Sequence, residues 1–174
     1  MVMRAISERL REGTMLRKQI IRAPALGSAP TPGEIDIAAV ATVLVTSESP
    51  ENPVDHAFDS HRGPGGSRWA AGEPGEQTLI LAFDAPQAIR RVALEVEETG
   101  VARTQELQLA VSTDGGRTHR DVLRQEYNFS PPGTTFERED WAVVAESVSH
   151  LRLLIKPAKG GEPCRASTTS LVLQ

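Results

Sequence analysis

A single cysteine, Cys164, is present among 174 residues, which excludes an internal disulfide and fits a reducing compartment. Aromatic residues make up only 4%, so each tryptophan and tyrosine has to be placed individually. Surplus positive charge is also missing. The formal net charge is −4, which argues against a nucleic-acid partner, because duplex binding relies on Lys and Arg to neutralise phosphates. No apolar run approaches the ~18 residues of a membrane span, and the opening MVMRAISERLREG lacks the apolar core of a secretory leader. A cytoplasmic location is the expectation. Catalytic signatures are absent as well: there is no Gly-x-Ser-x-Gly elbow and no phosphate-binding Gly-x-x-x-x-Gly-Lys-Ser/Thr loop. The neighbouring carboxylates Glu97/Glu98 and Glu139/Asp140 fall on opposite faces of a strand, and Cys164 has no histidine beside it. The chain reads as a non-enzyme.

What is present is an ordinary globular composition, 39% hydrophobic and 24% charged, with the charge unevenly placed. Residues 1–22 hold six basic residues against Glu8 and Glu12, a net of +4, which leaves −8 for the remainder. Ile6, Leu10 and the run Leu16–Ile20 give ragged helical spacing. Residues 23–34, APALGSAPTPGE, form an Ala/Pro linker with three Pro and two Gly. The sequence therefore divides into a basic N-terminal extension over 1–34, helical or disordered, and a folded domain over 35–174.

Within that domain the hydrophobic period is two. Val43 and Val45 alternate with Thr42 and Leu44; Leu79, Leu81 and Phe83 form one face of QTLILAF. Val92, Leu94 and Val96 oppose Glu95 and Glu97, and Leu107/Leu109/Val111, Leu151/Leu153/Ile155 and Leu171/Leu173 repeat the pattern. Strict alternation marks half-buried antiparallel strands. Asp84-Ala-Pro86, Thr99-Gly100, Asp114-Gly115-Gly116, Pro131-Pro132-Gly133 and Gly160-Gly161 are the turn signals between them, with Asp-Gly the strongest hairpin cue. No long helical pattern intervenes. The predicted fold class is all-β, an antiparallel sandwich or jelly roll.

The candidate site residues cluster in NPVDHAFDSHRGPGGSRW, residues 52–69. His56, Asp59 and His61 are two imidazoles and a carboxylate within six residues, a set that suits a transition metal; the plainer reading has Asp59 capping the loop through backbone N–H groups. Arg62, Arg68 and Trp69, with the two histidines, suit a sugar or anion cleft, since Trp stacks on the apolar face of a pyranose and Arg donates fork-like hydrogen bonds. The plainer reading of Trp69 is a core residue closing the sandwich end, which leaves His61 and Arg62 as the better surface candidates. Tyr127, in RQEYNFSPP, is either the wall of a binding loop or an inward strand residue beside Phe129. The glycine-rich GPGGSR lacks the following helix that a phosphate cradle needs.

In order and spacing these pieces resemble the discoidin, or coagulation-factor type C, domain of the galactose-binding-like superfamily. ATVLVTSE is similar to its opening strand, HAFDS leading to Trp69 to its Ala-x-Asp-Gly…Trp segment, QTLILAFDAPQAIRRVAL to its strand-turn-strand core, LAVSTDGGRTHRDV to its Ser-x-Asp-Gly hairpin, and LRLLIKP and ASTTSLVLQ to its last strands. The resemblance spans residues 37–174. It implies a jelly-roll module that binds a carbohydrate or other small polar ligand through loops at one end, with a docking scaffold for a protein partner as the alternative function. It also implies a structural Ca²⁺ held in part by Asp59. Here Ser60 replaces the usual Gly, and Cys164-Arg165-Ala166-Ser167 stands where an acidic residue is expected. Imidazole and guanidinium are poor partners for a hard cation, so no cofactor is expected.

Overall fold

The computed structural model describes residues 31–174. The basic segment and most of the linker fall outside the described residues. A single helical turn, α1 (Ile37–Val40), precedes eight strands: β1 (Ala41–Val45), β2 (Trp69–Pro74), β3 (Gln77–Glu97), β4 (Arg103–Ser112), β5 (Arg120–Phe129), β6 (Phe136–Lys156), β7 (Arg165–Thr168) and β8 (Ser170–Leu173). A short 3-10 turn over Val54–Ala57 lies in the loop between β1 and β2. Every pairing between these strands is antiparallel.

Two strands of 21 residues, β3 and β6, organise the sandwich. Near its start β3 pairs with β1 and with the second half of β6, and β4 and β5 extend that sheet in the order β1-β3-β6-β4-β5. Its second half lies between the first half of β6 and β8. The short β7 precedes β8 and pairs with β2. Thus β3 and β6 run the length of one six-stranded sheet that also takes in β8, and β2 and β7 form a separate two-stranded sheet.

The course of β3 corrects one expectation. The turn signal Asp84-Ala-Pro86 predicts the end of a strand, but β3 runs through it, with register shifts between Ala82 and Arg91. The cause is the partner strand. β6 runs alongside, so single pairs persist at Gln87 opposite Val148 and Ile89 opposite Ala145, and the unbroken ladder resumes at Arg91 opposite Ala142. Pro86, which has no N–H to donate, sits in the unpaired stretch between the shifts, where it costs no ladder bond.

The alternating residues singled out from the sequence point inward. Leu79, Leu81, Val92, Leu94, Val96, Leu107, Leu109, Val111, Leu151, Leu153, Ile155, Leu171 and Leu173 all belong to one buried core. Ile35, at the start of the domain, donates its N–H to the Leu173 carbonyl at 2.8 Å and ties the chain's entry to its last strand.

Candidate functional site

The loop between β1 and β2 holds most of the candidate residues, and its polar groups are largely satisfied from within the protein. Both carboxylate oxygens of Asp59 accept from the Ser67 hydroxyl, at 2.8 and 2.6 Å, and the His61 backbone N–H donates to the same carboxylate at 3.0 Å. Asp59 therefore closes the loop on itself, the capping role that short acidic residues take in turns. His56 sets its Nδ1 3.2 Å from the Arg68 carbonyl oxygen, pinning one end of the loop to the other. Arg62 donates a fork of two bonds, 2.9 and 2.7 Å, to the Glu34 carboxylate. That pairing draws Glu34 below the ordinary carboxylate range and raises Arg62.

The glycine-rich stretch has its own anchors. The Gly63 N–H donates to Glu95 at 2.7 Å, and the Gly65 N–H is shared between the two oxygens of Glu97 at 3.1 Å. Amides that would otherwise cradle an anion are thus given to the protein's own carboxylates. Val92, Leu94 and Val96 face the core, so the alternation turns Glu95 and Glu97 to the opposite face of β3. The loop rests against that face and buries Glu95. Arg138 reaches Glu95 at 3.2 Å from β6. Neither Glu34 nor these two carboxylates is a candidate on sequence grounds. The alternation of RRVALEVEE does place Glu95 and Glu97 away from the core, but nothing local says which loop covers them.

Two candidates are withdrawn from any ligand surface. Trp69 is fully buried and donates its indole N–H to the Ser47 carbonyl at 3.2 Å, so it offers no ring face to a sugar. Tyr127 is 2% exposed and packs edge-to-face on Phe129, with ring centroids 6.4 Å apart. Burial pushes its phenol above the usual range. Both fill the core because their strands alternate inward at those positions. His61 remains exposed, and Arg68 is half-buried with its backbone carbonyl engaged in the loop.

The metal readings find no support in the donor set. Asp59 is engaged by a hydroxyl and an amide, and among the described residues no group of three or more His, Cys, Asp or Glu is placed to hold an ion. The His61 Nδ1 lies 3.4 Å from Asp59, but the His56 Nδ1 faces the Arg68 carbonyl, so the three do not converge on one point. The residues present do not fit a Ca²⁺ site, which needs six to eight hard oxygen ligands.

Ser60 shows what replaces the expected glycine. Its φ is +66°, in the left-handed region that favours glycine over residues with a Cβ. Ser60→Gly is expected to raise stability by about 0.5–1 kcal/mol, read as a higher denaturation midpoint at unchanged slope. A fall in the midpoint would show that the Ser60 side chain holds the loop.

The second signature, Ser112-Thr113-Asp114-Gly115-Gly116, is a closed hairpin. Asp114 accepts from the Ser112 hydroxyl at 2.7 Å and from the Thr118 N–H and hydroxyl at 3.0 and 2.6 Å, which holds its carboxyl well below the usual range. Gly115 takes φ +77°, the conformation the tight turn requires. This hairpin shapes the sandwich and leaves its acidic group committed.

Two small cavities of about 40 Å³ each border this loop at Glu34 and Arg62, and larger open space lies elsewhere. A groove of about 290 Å³ runs over the outer face of the first sheet between β4, β5 and β6. A wider depression lies where the start of β4 meets the loop after β6, beside Thr104, Asn128 and Lys159.

The architecture is an antiparallel β-sandwich. Neither a family model nor a curated protein matches the sequence. Among solved structures the chain is similar to CBM32-3 from a family 31 glycoside hydrolase from Clostridium perfringens, with a TM-score of 0.59 and 14% identity over 80% of this chain and 93% of that one. It is similar to the family 32 CBM from C. perfringens NanJ in complex with galactose, at TM-score 0.52 and 16% identity over 80% and 96%. It is also similar to chitosan-binding module 1 derived from a chitosanase/glucanase from Paenibacillus sp. IK-5, at TM-score 0.52 and 18% identity over 80% and 98%. At these identities the likeness establishes the fold. The sandwich expected from the strand pattern is present.

Proposed function

We propose that this domain is a non-catalytic carbohydrate-binding module. The observation that carries the reading is the sharing of one complete sandwich with modules whose structures were solved with galactose or named for chitosan binding, over 80% of this chain. The discoidin-like order of motifs supports the same superfamily.

The test is a glycan array with purified protein, run in Ca²⁺ and again in EDTA. Saturable binding is expected in both arms, because the loop is closed by hydrogen bonds and not by an ion. Binding lost in EDTA would overturn the metal-free reading, and a wild-type protein that retains no glycan in either arm would overturn carbohydrate binding itself.

A further inference from the structure

The outer face of the first sheet breaks the polar-outward rule along one diagonal. Leu44, Ile80 and Leu154 are aliphatic residues at outward positions of β1, β3 and β6, each between neighbours that point inward. Leu44 stands opposite Ile80, and Leu154 stands between Thr78 and Gln108. Leu154 lines the 290 Å³ groove together with Glu106, Gln108, Arg124, Glu126 and Lys156.

We infer that this sheet-face groove is a sugar subsite for a neutral, hydroxyl-rich oligosaccharide, an assignment that rests on the carbohydrate-binding reading above. Two cations and two anions line it, so its formal charges cancel and it has no surplus of one sign to select a charged ligand. Carboxylates accept from sugar hydroxyls, while ammonium, guanidinium and amide groups donate to them. Leu154 supplies an aliphatic floor for the C–H face of a ring. Part of this chemistry is uncommitted. Glu106 and Lys156 face each other across the β4–β6 ladder, yet neither forms an ion pair among the described residues. Gln108, Arg124 and Glu126, by contrast, are held: Gln108 donates its amide to Asp121 at 2.7 Å, Arg124 pairs with the same carboxylate, and Glu126 pairs with Lys159. All six side chains rise from paired strands, which hold a site more firmly in place than loops do. The volume of about 290 Å³ lies just below the range of ligand pockets, roughly 300–1,000 Å³, and suits a short oligosaccharide. A protein partner fits less well. A specific interface needs roughly 1,000 Å², and the large exposed hydrophobics among the described residues are Leu44 in β1, Val101 in the loop between β3 and β4, and Val144 in β6.

The experiment compares wild type, Glu106→Ala/Lys156→Ala, Gln108→Ala and His61→Ala/Arg62→Ala on an array of neutral and acidic glycans, with thermal melts to confirm folding. The double groove variant keeps the net charge, and Gln108→Ala provides a second, milder change. Neutral glycans are expected to dominate, with about tenfold or greater loss of affinity in the double groove variant and a smaller loss in Gln108→Ala. The His61/Arg62 variant is expected to bind as wild type. Glycan binding that ignores the groove variants, or is lost in the loop variant alone, would overturn the groove and leave the carbohydrate reading standing. A preference for acidic glycans would overturn the neutral ligand. No glycan binding by wild type would overturn the underlying reading.

Discussion

Trp69→Ala is expected to lower stability by about 3–5 kcal/mol, the range for deleting a large aromatic side chain from a core. Trp69 is fully buried at the start of β2, where it pairs with Thr168 of β7. Its indole N–H also holds the Ser47 carbonyl just beyond β1. Deletion therefore opens a cavity and leaves a carbonyl without its donor at the point where the long loop rejoins the sheet. For a domain of this size the melting temperature should fall by roughly 10 °C. Trp69→Phe separates the two contributions: it keeps most of the packing and loses the hydrogen bond, at a cost of about 1–2 kcal/mol plus a smaller packing loss. Differential scanning calorimetry measures both. A near-neutral Trp69→Ala that abolished sugar binding would return Trp69 to the ligand surface.

Arg103→Ala should be comparably severe, about 3–5 kcal/mol. Its side chain is 3% exposed, reaches Glu98 at 2.9 Å and donates to the Arg165 carbonyl at 2.8 Å. It thereby links the start of β4 in the six-stranded sheet to β7 of the two-stranded sheet. Arg103→Met keeps the aliphatic stem and isolates the polar part. Its cost should be smaller, about 2–3 kcal/mol, because Glu98 is 17% exposed and also accepts the Gly100 and Val101 N–H groups. Arg103→Met/Glu98→Gln should recover part of that loss, since the residues are coupled. Chemical denaturation of wild type, Arg103→Met, Glu98→Gln and the double variant closes the cycle. An Arg103→Met protein more stable than wild type would show that the buried pair is a net cost retained for another reason.

Much of the sandwich is legible because a strand announces its faces locally. Leu107, Leu109 and Val111 can alternate inward in only one way, and the Ser-x-Asp-Gly hairpin carries its own cap in Ser112, Asp114 and Thr118. The continuation of β3 is not legible, because Asp84-Ala-Pro86 has the composition of a turn and only the course of β6 alongside keeps it in the strand. The candidate loop is recognisable from its residues, but the commitments of its charges are not. Arg62 reads as free for a ligand and is held by Glu34, 28 positions away. Leu44, Ile80 and Leu154 read as ordinary members of hydrophobic runs until the register sets them side by side on an outer face.

The sequence by itself determined the class of fold, the inward and outward faces of the strands and the hairpin caps, since each depends on neighbours within a few residues. Tertiary structure decided which polar groups remain for a ligand. Register places Glu106 opposite Lys156 and Leu154 opposite Gln108, and the fold carries Glu95 and Glu97 under the glycine loop. Those encounters join residues far apart in the chain, and no local periodicity encodes them.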